Sequence, residues 1–371
     1  MSEARVAVHR VVVKIGSSVL TDAGGRLVPE RLTRLAAQIA EWVEVHRQVV
    51  LVTSGAIACG MARLGLARRP TAVAQLQAAA AIGQSELMHL YAEAFHAHGL
   101  LAGQLLLTQE DLASRARFRN AKQTLLTLLH RRVIPIVNEN DTVAVEEITF
   151  GDNDRLAALV AAAVDAQLLV LLTDVDGFLQ DGKPLERVET LRQLDPASVR
   201  GSRKPTTKGG MSSKLLAAQI AGHSGIPMVI ANGLRGAVLT ELLAGKPAGT
   251  LFVPPRTRLT ARKWWIAFAL RRPNGTLVVD EGAARALLER GTSLLPSGVR
   301  DIRGRFDGGA FVSVMSAGGI ELGRGVCNFS SAELERIRGM RSIEAARLLG
   351  RPRIKEVIHR DHLVLMKELH G

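Results

Sequence analysis

Short apolar runs alternate with amphipathic segments along the first two thirds of the chain. The runs Val11–Ile15, Val49–Val52 and Gln167–Leu172 are mainly apolar and too short for helices, so they predict buried strands. Segments with the helical period, such as Pro29–His46, separate them. This alternation favours an α/β fold, an αβα sandwich around a mainly parallel sheet. Further strands are predicted at Leu105–Thr108, Val133–Val137, Pro227–Ala231 and Thr250–Val253, and further helices at Arg115–Leu129, Leu156–Val164 and Leu215–Ala221.

The alanine-rich stretch Ala72–His98 is predicted to be a long helix, with a candidate break at Gly83. Its composition is typical of a packing or dimerisation element. The sequence assigns no chemistry to it.

The pattern changes after Pro254 and Pro255, where short apolar runs follow one another between Gly- and Asp-rich turns. This favours a small, mostly β second domain. We expect a first domain over residues 1–256, a linker and start of the second domain over 257–273, and a second domain over 274–371. Its strands are predicted at Trp264–Leu270, Leu277–Val279, Phe311–Met315, Glu321–Val326, Glu356–Ile358 and Leu363–Met366, and its helices at Ala283–Glu289 and Ser330–Arg338.

Composition narrows the cellular setting. Two cysteines in 371 residues provide no disulfide framework and are typical of a reducing cytoplasm. The longest apolar run, Leu156–Leu172, is interrupted by Asp165 and Gln167, so no transmembrane helix and no membrane partner are expected. The first apolar run is too short for a signal peptide.

The net charge of +13 is unevenly distributed, because more than half of it lies beyond residue 259. A basic balance is compatible with anionic small ligands or with nucleic acid. A solvated surface in an arginine-rich proteome explains it equally well. Charge alone therefore leaves these alternatives open.

Polar residues follow several predicted strands where each strand ends. Lys14 ends the first strand and is costly to bury without a partner anion, although a strand-end lysine can also reach solvent. Thr53–Ala56 follows the second strand and resembles an anion-holding helix start or a simple cap. Asn138–Asp154 is rich in Asn and Asp, which suits either a ligand site or a long capped loop. Because ligands bind at the carboxyl edge of open α/β sheets, these ends together predict a site.

A Gly-Gly turn precedes the predicted helix at Leu215, with Lys214 in its first turn. Backbone amides, the helix dipole and the lysine charge would together hold a phosphate. A flexible loop with a solvated lysine is the alternative. The P-loop spacing is absent, as are the G-x-G-x-x-G, H-E-x-x-H and G-x-S-x-G motifs, so dinucleotide-binding, zinc-hydrolase and serine-hydrolase classes lack support.

These stretches together resemble the glutamate 5-kinases of the amino acid kinase family, with a C-terminal PUA domain. The resemblance of the first domain rests on V-V-V-K-I-G-S-S-V-L (11–20), L-V-T-S-G-A-I-A (51–58), V-N-E-N-D-T-V-A (137–144), G-D-N-D (151–154), L-L-T-D (171–174) and G-G-M-S-S-K-L (209–215). That of the second rests on V-D-E-G-A (279–283), R-G-T-S-L-L-P-S-G (290–298) and V-I-H-R-D (357–361).

The resemblance implies phosphoryl transfer from MgATP to the γ-carboxylate of L-glutamate, the first step of proline biosynthesis. It implies that Lys14 and Lys214 offset charge on the transferring phosphoryl group and that Asp154 orients them. Mg²⁺ would be held mainly by ATP phosphates and water, so no protein metal ligand is named. The glutamate-binding positions would be Ser54, Gly55, Asn138, Asp141 and Asn153. The nucleotide-binding positions would be Lys14, Thr173, Asp174, Lys208, Gly209, Gly210, Met211, Ser212, Ser213 and Lys214.

One departure concerns the nucleotide loop. The family usually has G-T-G-G-M before the lysine helix, where this chain has Thr207-Lys208-Gly209-Gly210-Met211. Lys208 is therefore a candidate extra phosphate contact, and Lys208→Ala should raise the Michaelis constant for ATP.

Partners follow from the same resemblance. Besides L-glutamate and ATP, it implies a homo-oligomer, dimer or tetramer, and proline as a possible feedback inhibitor. The alternative function is RNA binding through the basic PUA domain, with a secondary or lost kinase activity. We favour a regulatory or oligomerising second domain, because aromatic residues for base stacking are scarce there.

Overall fold

The computed structural model describes residues 8–143, 153–180, 182–194, 210–255, 258–270 and 272–369. The chain forms two compact units, Met1–Arg256 and Thr257–Gly371. Within the described ranges, none of the helices combines the length and apolar character needed to span a bilayer.

The first unit is built around a large sheet and flanking helices. Its helices are α1 (Ser17–Leu20), α2 (Pro29–Glu44), α3 (Ala56–Arg63), α4 (Val73–His96), α5 (Gln109–Ala113), α6 (Arg115–His130), α7 (Asn153–Ala163), α8 (Met211–His223) and α9 (Val238–Leu243). Its strands are β1 (Arg10–Ile15), β2 (Gln48–Val52), β3 (Leu101–Leu107), β4 (Val133–Glu139), β5 (Leu168–Thr173), β6 (Leu179–Gln180), β7 (Lys183–Pro184), β8 (Arg187–Val188), β9 (Met228–Asn232) and β10 (Thr250–Phe252).

Eight of these strands form one sheet in the order β3-β4-β2-β1-β5-β9-β10-β8. Neighbouring strands are parallel except β9 and β10, which are antiparallel. The predicted αβα sandwich with a mainly parallel sheet is therefore confirmed.

Side-chain alternation along β1 separates core from site. Val11, Val13 and Ile15 join a core cluster with α2 and α4. Because successive side chains of a strand point to opposite faces, Lys14 lies on the other face. Helix α7 packs against β1 and against α8, which brings both helix starts towards Lys14.

Helices α3 and α4 approach until their backbones touch. A Cβ atom on Gly83 of α4 would lie 1.8 Å from the carbonyl oxygen of Ala56, and one on Gly60 of α3 would lie 1.8 Å from that of Ala79. Helix α4 runs unbroken through Gly83, so the predicted break is wrong. The glycine serves close packing rather than a kink.

The second unit contains the sheet order β12-β11-β13-β14-β15. Its strands are β11 (Gly275–Val279), β12 (Val299–Arg303), β13 (Phe311–Ser316), β14 (Glu321–Val326) and β15 (Leu363–Leu365), and its helices are α10 (Ala261–Trp264), α11 (Glu281–Arg290), α12 (Ser331–Ile337), α13 (Ser342–Leu348) and α14 (Met366–Leu369). The small β-rich second domain is thus confirmed.

Two strand predictions in this unit are wrong. Trp264–Leu270 is helical, because the Thr260 side chain caps α10 and the chain continues as a π-helical turn over Trp265–Ala269. Glu356–Ile358 forms only an isolated bridge between Ile358 and Leu294.

Candidate active site

The carboxyl ends of β4, β2, β1 and β5 lie side by side at one edge of the sheet. Asn138, Lys14 and Thr173 lie at the ends of three of these strands, and Ser54 follows the fourth. This edge is the usual ligand position in open α/β sheets. The fold therefore gathers residues that are far apart in sequence.

Helix α7 begins at this edge with Asn153 and Asp154, which are 3% and 1% exposed. The apolar residues that follow bury the helix almost completely, so its first turn is fixed in position. Carboxylates in the first turn are favoured by the helix dipole.

Asp154 joins two lysines from opposite ends of the first unit. The Lys14 Nζ lies 2.6 Å from Asp154 Oδ1, and the Lys214 Nζ lies 3.1 Å from Oδ2. The Ser213 hydroxyl donates to the same Oδ2 at 3.0 Å. We call Lys14, Asp154 and Lys214 the lysine–aspartate cluster.

The cluster is buried and carries more positive than negative charge. Both lysines are 7% exposed. Burial alone would raise the pKa of Asp154, but the charges of Lys14 and Lys214 outweigh it and hold that pKa well below its usual range. With one ionised carboxylate between two ammonium groups, the cluster is suited to receive an anion.

A second group of side chains surrounds Asn153. Its Nδ2 lies 2.7 Å from the Thr53 carbonyl oxygen, 3.0 Å from Ser54 Oγ and 2.9 Å from Asn138 Oδ1. The backbone N–H of Glu139 also donates to Asn138 Oδ1, at 2.9 Å. The structure therefore brings Ser54, Asn138 and Asn153 into direct contact.

Gly55 is the N-cap of α3 and follows Ser54. Its φ of +108° lies in the left-handed region, where a residue other than glycine is strained. The first backbone N–H groups of α3 follow this turn and have no acceptor within the helix.

Asp141 lies in the turn after β4 and is half-buried. Burial raises its pKa to about 6, and the charge of Arg69 opposes the shift. No hydrogen bond joins its carboxylate to Asn138 or Asn153 among the described contacts. The structure thus places Asp141 near the end of β4 but outside the hydrogen-bonded set of Ser54, Asn138 and Asn153.

The predicted nucleotide residues are only partly described. Thr173 is buried at the end of β5, and its hydroxyl lies 3.2 Å from Asp174 Oδ1. The side chain of Asp174 is exposed. Gly210 caps α8, and Met211, Ser212, Ser213 and Lys214 form its first turn. Lys208 and Gly209 lie outside the described residues.

Sequence reasoning gave no role to Gln84 and Tyr91, which lie beside this site. The Thr53 hydroxyl lies 2.8 Å from the buried Tyr91 hydroxyl, and Asn138 Nδ2 donates to Gln84 Oε1 at 2.8 Å. Gln84 and Tyr91 are seven residues apart on α4, hence on one face of that helix. No sequence pattern marked them, because a buried glutamine in an alanine-rich helix resembles a surface one.

In the part of the chain that the structure describes, no group of three or more His, Cys, Asp or Glu side chains could hold a metal ion. A metal ion that enters with a nucleotide would use the nucleotide's own phosphates as ligands.

Comparison with known proteins is consistent with this arrangement. The model of the amino acid kinase family matches residues 9–232, and the PUA domain model matches residues 275–349. A glutamate 5-kinase of Thermus thermophilus is 49% identical over 98% of this chain and 99% of its own length. One of Geobacter sulfurreducens is 47% identical over 97% and 98%, and one of Moorella thermoacetica 44% identical over 99% and 97%.

The matches cover the sheet, the lysine–aspartate cluster and the second unit, and their order agrees with the fold described above. The chain therefore belongs to the amino acid kinase family, in its glutamate 5-kinase group.

Proposed function

We propose that the lysine–aspartate cluster is the catalytic centre for ATP-dependent phosphorylation of the L-glutamate γ-carboxylate, which gives L-glutamyl 5-phosphate. The observation that carries the proposal is the buried cluster itself, in which Asp154 contacts two lysines at the carboxyl edge of the sheet. Phosphoryl transfer depends mainly on positioning and charge neutralisation, which such a cluster supplies.

In this reaction a γ-carboxylate oxygen forms a bond to the γ-phosphorus of ATP. The bond from that phosphorus to the bridging oxygen breaks, and ADP leaves with the electron pair. The carboxylate is already ionised near neutral pH, so no general base is needed. Lys14 and Lys214 offset the charge on the transferring phosphoryl oxygens.

Asp154 acts as a positioning residue for these lysines. Its two oxygens contact one ammonium group each, so both lysines are fixed by one rigid side chain. Its lowered pKa keeps it ionised throughout the neutral range. Ser213 adds a neutral contact to Oδ2 and ties the cluster to the first turn of α8.

In this proposal the substrate amino acid binds beside Ser54, Asn138 and Asn153. Ser54 and the amides after Gly55 receive carboxylate oxygens, since helix starts favour anions. Asp141 pairs with the α-ammonium group. Asn138 and Asn153 supply the remaining polar contacts.

The nucleotide lies across the carboxyl end of β5 and the start of α8. Thr173 and Asp174 contact it on one side, and the residues from Lys208 to Lys214 hold its phosphates. Mg²⁺ would be held by those phosphates rather than by protein ligands, and when bound it would supply further neutralisation of phosphate charge. The support for this arrangement is the helix start at Gly210, beside the cluster.

The proposal is tested by trapping acyl phosphate with hydroxylamine. The purified protein is given MgATP with L-glutamate, L-aspartate or N-acetyl-L-glutamate. Hydroxamate from L-glutamate alone is expected. The proposed substrate is contradicted if L-aspartate or N-acetyl-L-glutamate gives more hydroxamate than L-glutamate, or if none of the three gives any.

The remaining parts of the proposal rest on the family alone. They are a homo-oligomeric state, inhibition by proline and a cytoplasmic location. Size-exclusion chromatography with light scattering tests the first, and the assay above with added proline tests the second. RNA binding gains no support from the PUA match, because that domain is the expected C-terminal part of a glutamate 5-kinase.

A further inference from the structure

Three buried side-chain amides form a chain beneath the amino-acid site. Gln84 is 9% exposed, Asn138 2% and Asn153 3%. Asn153 Nδ2 lies 2.9 Å from Asn138 Oδ1, and Asn138 Nδ2 lies 2.8 Å from Gln84 Oε1. This row of hydrogen-bonded amides runs from the first turn of α7, past the end of β4, to the middle of α4.

Backbone groups fix the orientation of Asn153 and Asn138, and Asn138 in turn fixes that of Gln84. The Thr53 carbonyl accepts from Asn153, so the Asn153 NH₂ group must face it. The Glu139 backbone N–H donates to Asn138, so the Asn138 oxygen must face that N–H. Asn138 then presents its NH₂ group to α4, where it needs an acceptor, and Gln84 Oε1 is that acceptor.

The two outer atoms of this chain have no hydrogen-bond partner among the described residues. They are Gln84 Nε2 and Asn153 Oδ1, and both are shielded from solvent. A buried polar atom without a partner is destabilising, so both atoms are candidates for a hydrogen bond to a bound molecule. Asn153 Oδ1 is a free acceptor, which suits a donor such as the ammonium group of an amino acid.

Close packing of α4 on α3 holds Gln84 in place. Its neighbour Gly83 lies where a Cβ atom would be 1.8 Å from the Ala56 carbonyl oxygen. Ala56 is the first residue of α3, two positions after Ser54. The position of Gln84 is therefore tied by backbone contact to the loop that carries Ser54.

We propose that Gln84 is a positioning residue of the amino-acid site, whose side-chain oxygen fixes Asn138 and, through Asn138, the free oxygen of Asn153. This inference rests on the proposed function, which places the amino-acid substrate beside Asn138 and Asn153. Gln84 acts on substrate affinity and has no contact with the lysine–aspartate cluster in the described structure. Its loss therefore affects L-glutamate and not ATP.

The test compares Gln84→Leu with Gln84→Glu. A leucine at position 84 removes the acceptor for Asn138, whereas a glutamate side chain at that position keeps an oxygen in the same place. Gln84→Leu is expected to raise KM for L-glutamate about tenfold, the loss of one buried hydrogen-bond network. Its KM for ATP should stay within about twofold, and Gln84→Glu should stay within about threefold of the unmodified protein for both substrates.

Gln38→Leu is the matched control. Gln38 is a buried glutamine on α2, 5% exposed, that bonds to the backbone of Arg34, Gly236 and Leu239. This variant should lower the melting temperature without changing KM for L-glutamate. An unchanged KM in Gln84→Leu, or equal rises for both substrates, overturns the proposal. Equal damage by Gln84→Leu and Gln84→Glu overturns it as well, since the shared oxygen would then be irrelevant.

A second readout separates this proposal from the proposed function. In ¹⁵N-labelled protein, the Asn138 side-chain NH₂ should exchange slowly with solvent and become fast in Gln84→Leu but not in Gln84→Glu. Slow exchange in all three proteins overturns the positioning role. Failure of the unmodified protein to phosphorylate L-glutamate overturns the proposed function, and the exchange experiment still decides the role of Gln84.

Discussion

Asp154 and Asp141 are two carboxylates of the same candidate site, and their surroundings shift their pKa values in opposite directions. Two lysine charges outweigh burial at Asp154 and lower its pKa. Burial outweighs Arg69 at Asp141 and raises its pKa to about 6. The first therefore stays ionised wherever the protein is folded under mild conditions, and the second titrates close to neutrality.

This difference predicts a pH dependence of substrate affinity. Below about pH 6, Asp141 becomes protonated and no longer attracts the α-ammonium group, so KM for L-glutamate should rise as the pH falls from 7 to 5. KM for ATP should change less, because Asp154 does not titrate there. Asp141→Asn should give a high KM that is flat over this range. A flat profile in the unmodified protein would contradict the assignment of Asp141.

The pKa shifts of Asp141 and Asp154 also determine how the free energy of unfolding changes with pH. Since the folded pKa of Asp141 is raised, its contribution to the free energy of unfolding is favourable below its ordinary value of 3.8 and is lost as the pH rises to about 6. Asp154, whose folded pKa is lowered, contributes above 3.8 and loses its contribution as the pH falls further.

At the residue scale, the sequence marked side chains whose chemistry is visible locally. Lys14, Asn153 and Lys214 lie at strand or helix ends, where polar groups are conspicuous against apolar neighbours. Gln84 and Tyr91 were not marked, because their burial and partners exist only after α4 packs on α3 and the sheet.

At the element scale, alternation of apolar runs predicted the parallel sheet well, because buried strands and amphipathic helices have different periods. The strand β12 was not predicted, since V-R-D-I-R alternates with charges and lies among turn residues. Trp264–Leu270 was mistaken for a strand because a short apolar run does not distinguish a strand from a buried helix.

The contact between α3 and α4 gives a prediction with a clear sign. In an ordinary helix, Gly→Ala is stabilising by roughly 1 kcal/mol. Gly83→Ala should instead lower the melting temperature and raise KM for L-glutamate, because its Cβ atom collides with the Ala56 carbonyl and pushes Gln84 away. Calorimetry and the hydroxamate assay measure both effects.

Gly236→Ala is the control for this prediction. No atom lies within 4 Å of the added Cβ, so this substitution should leave the melting temperature and KM nearly unchanged. A Gly83→Ala protein that is as stable and as active as the Gly236→Ala protein would show that the helices can separate at little cost.

At the scale of the whole molecule, each unit has its own hydrophobic core. Every described residue of the candidate site belongs to the unit Met1–Arg256. The composition of the chain changes after Pro254, next to the boundary between the two units, whereas the use of the second unit has no signature in the sequence beyond its basic charge.

A chain that ends at residue 256 should therefore retain glutamate-dependent hydroxamate formation, with kcat within about fivefold of the full chain, because a unit with its own hydrophobic core can fold alone. Circular dichroism should show a folded protein. A folded truncated protein without turnover would show that the second unit is needed for catalysis.

The central claim is that one buried carboxylate holds two lysines for phosphoryl transfer, and Asp154→Asn tests it most directly. The amide keeps the shape but not the charge, so kcat with L-glutamate should fall by about 100-fold or more, while the protein stays folded. The control is Asp165→Asn, since Asp165 pairs with Lys122 at the surface with 74% of its side chain exposed and should change kcat less than about twofold. A folded Asp154→Asn protein with kcat close to that of the control would contradict the account.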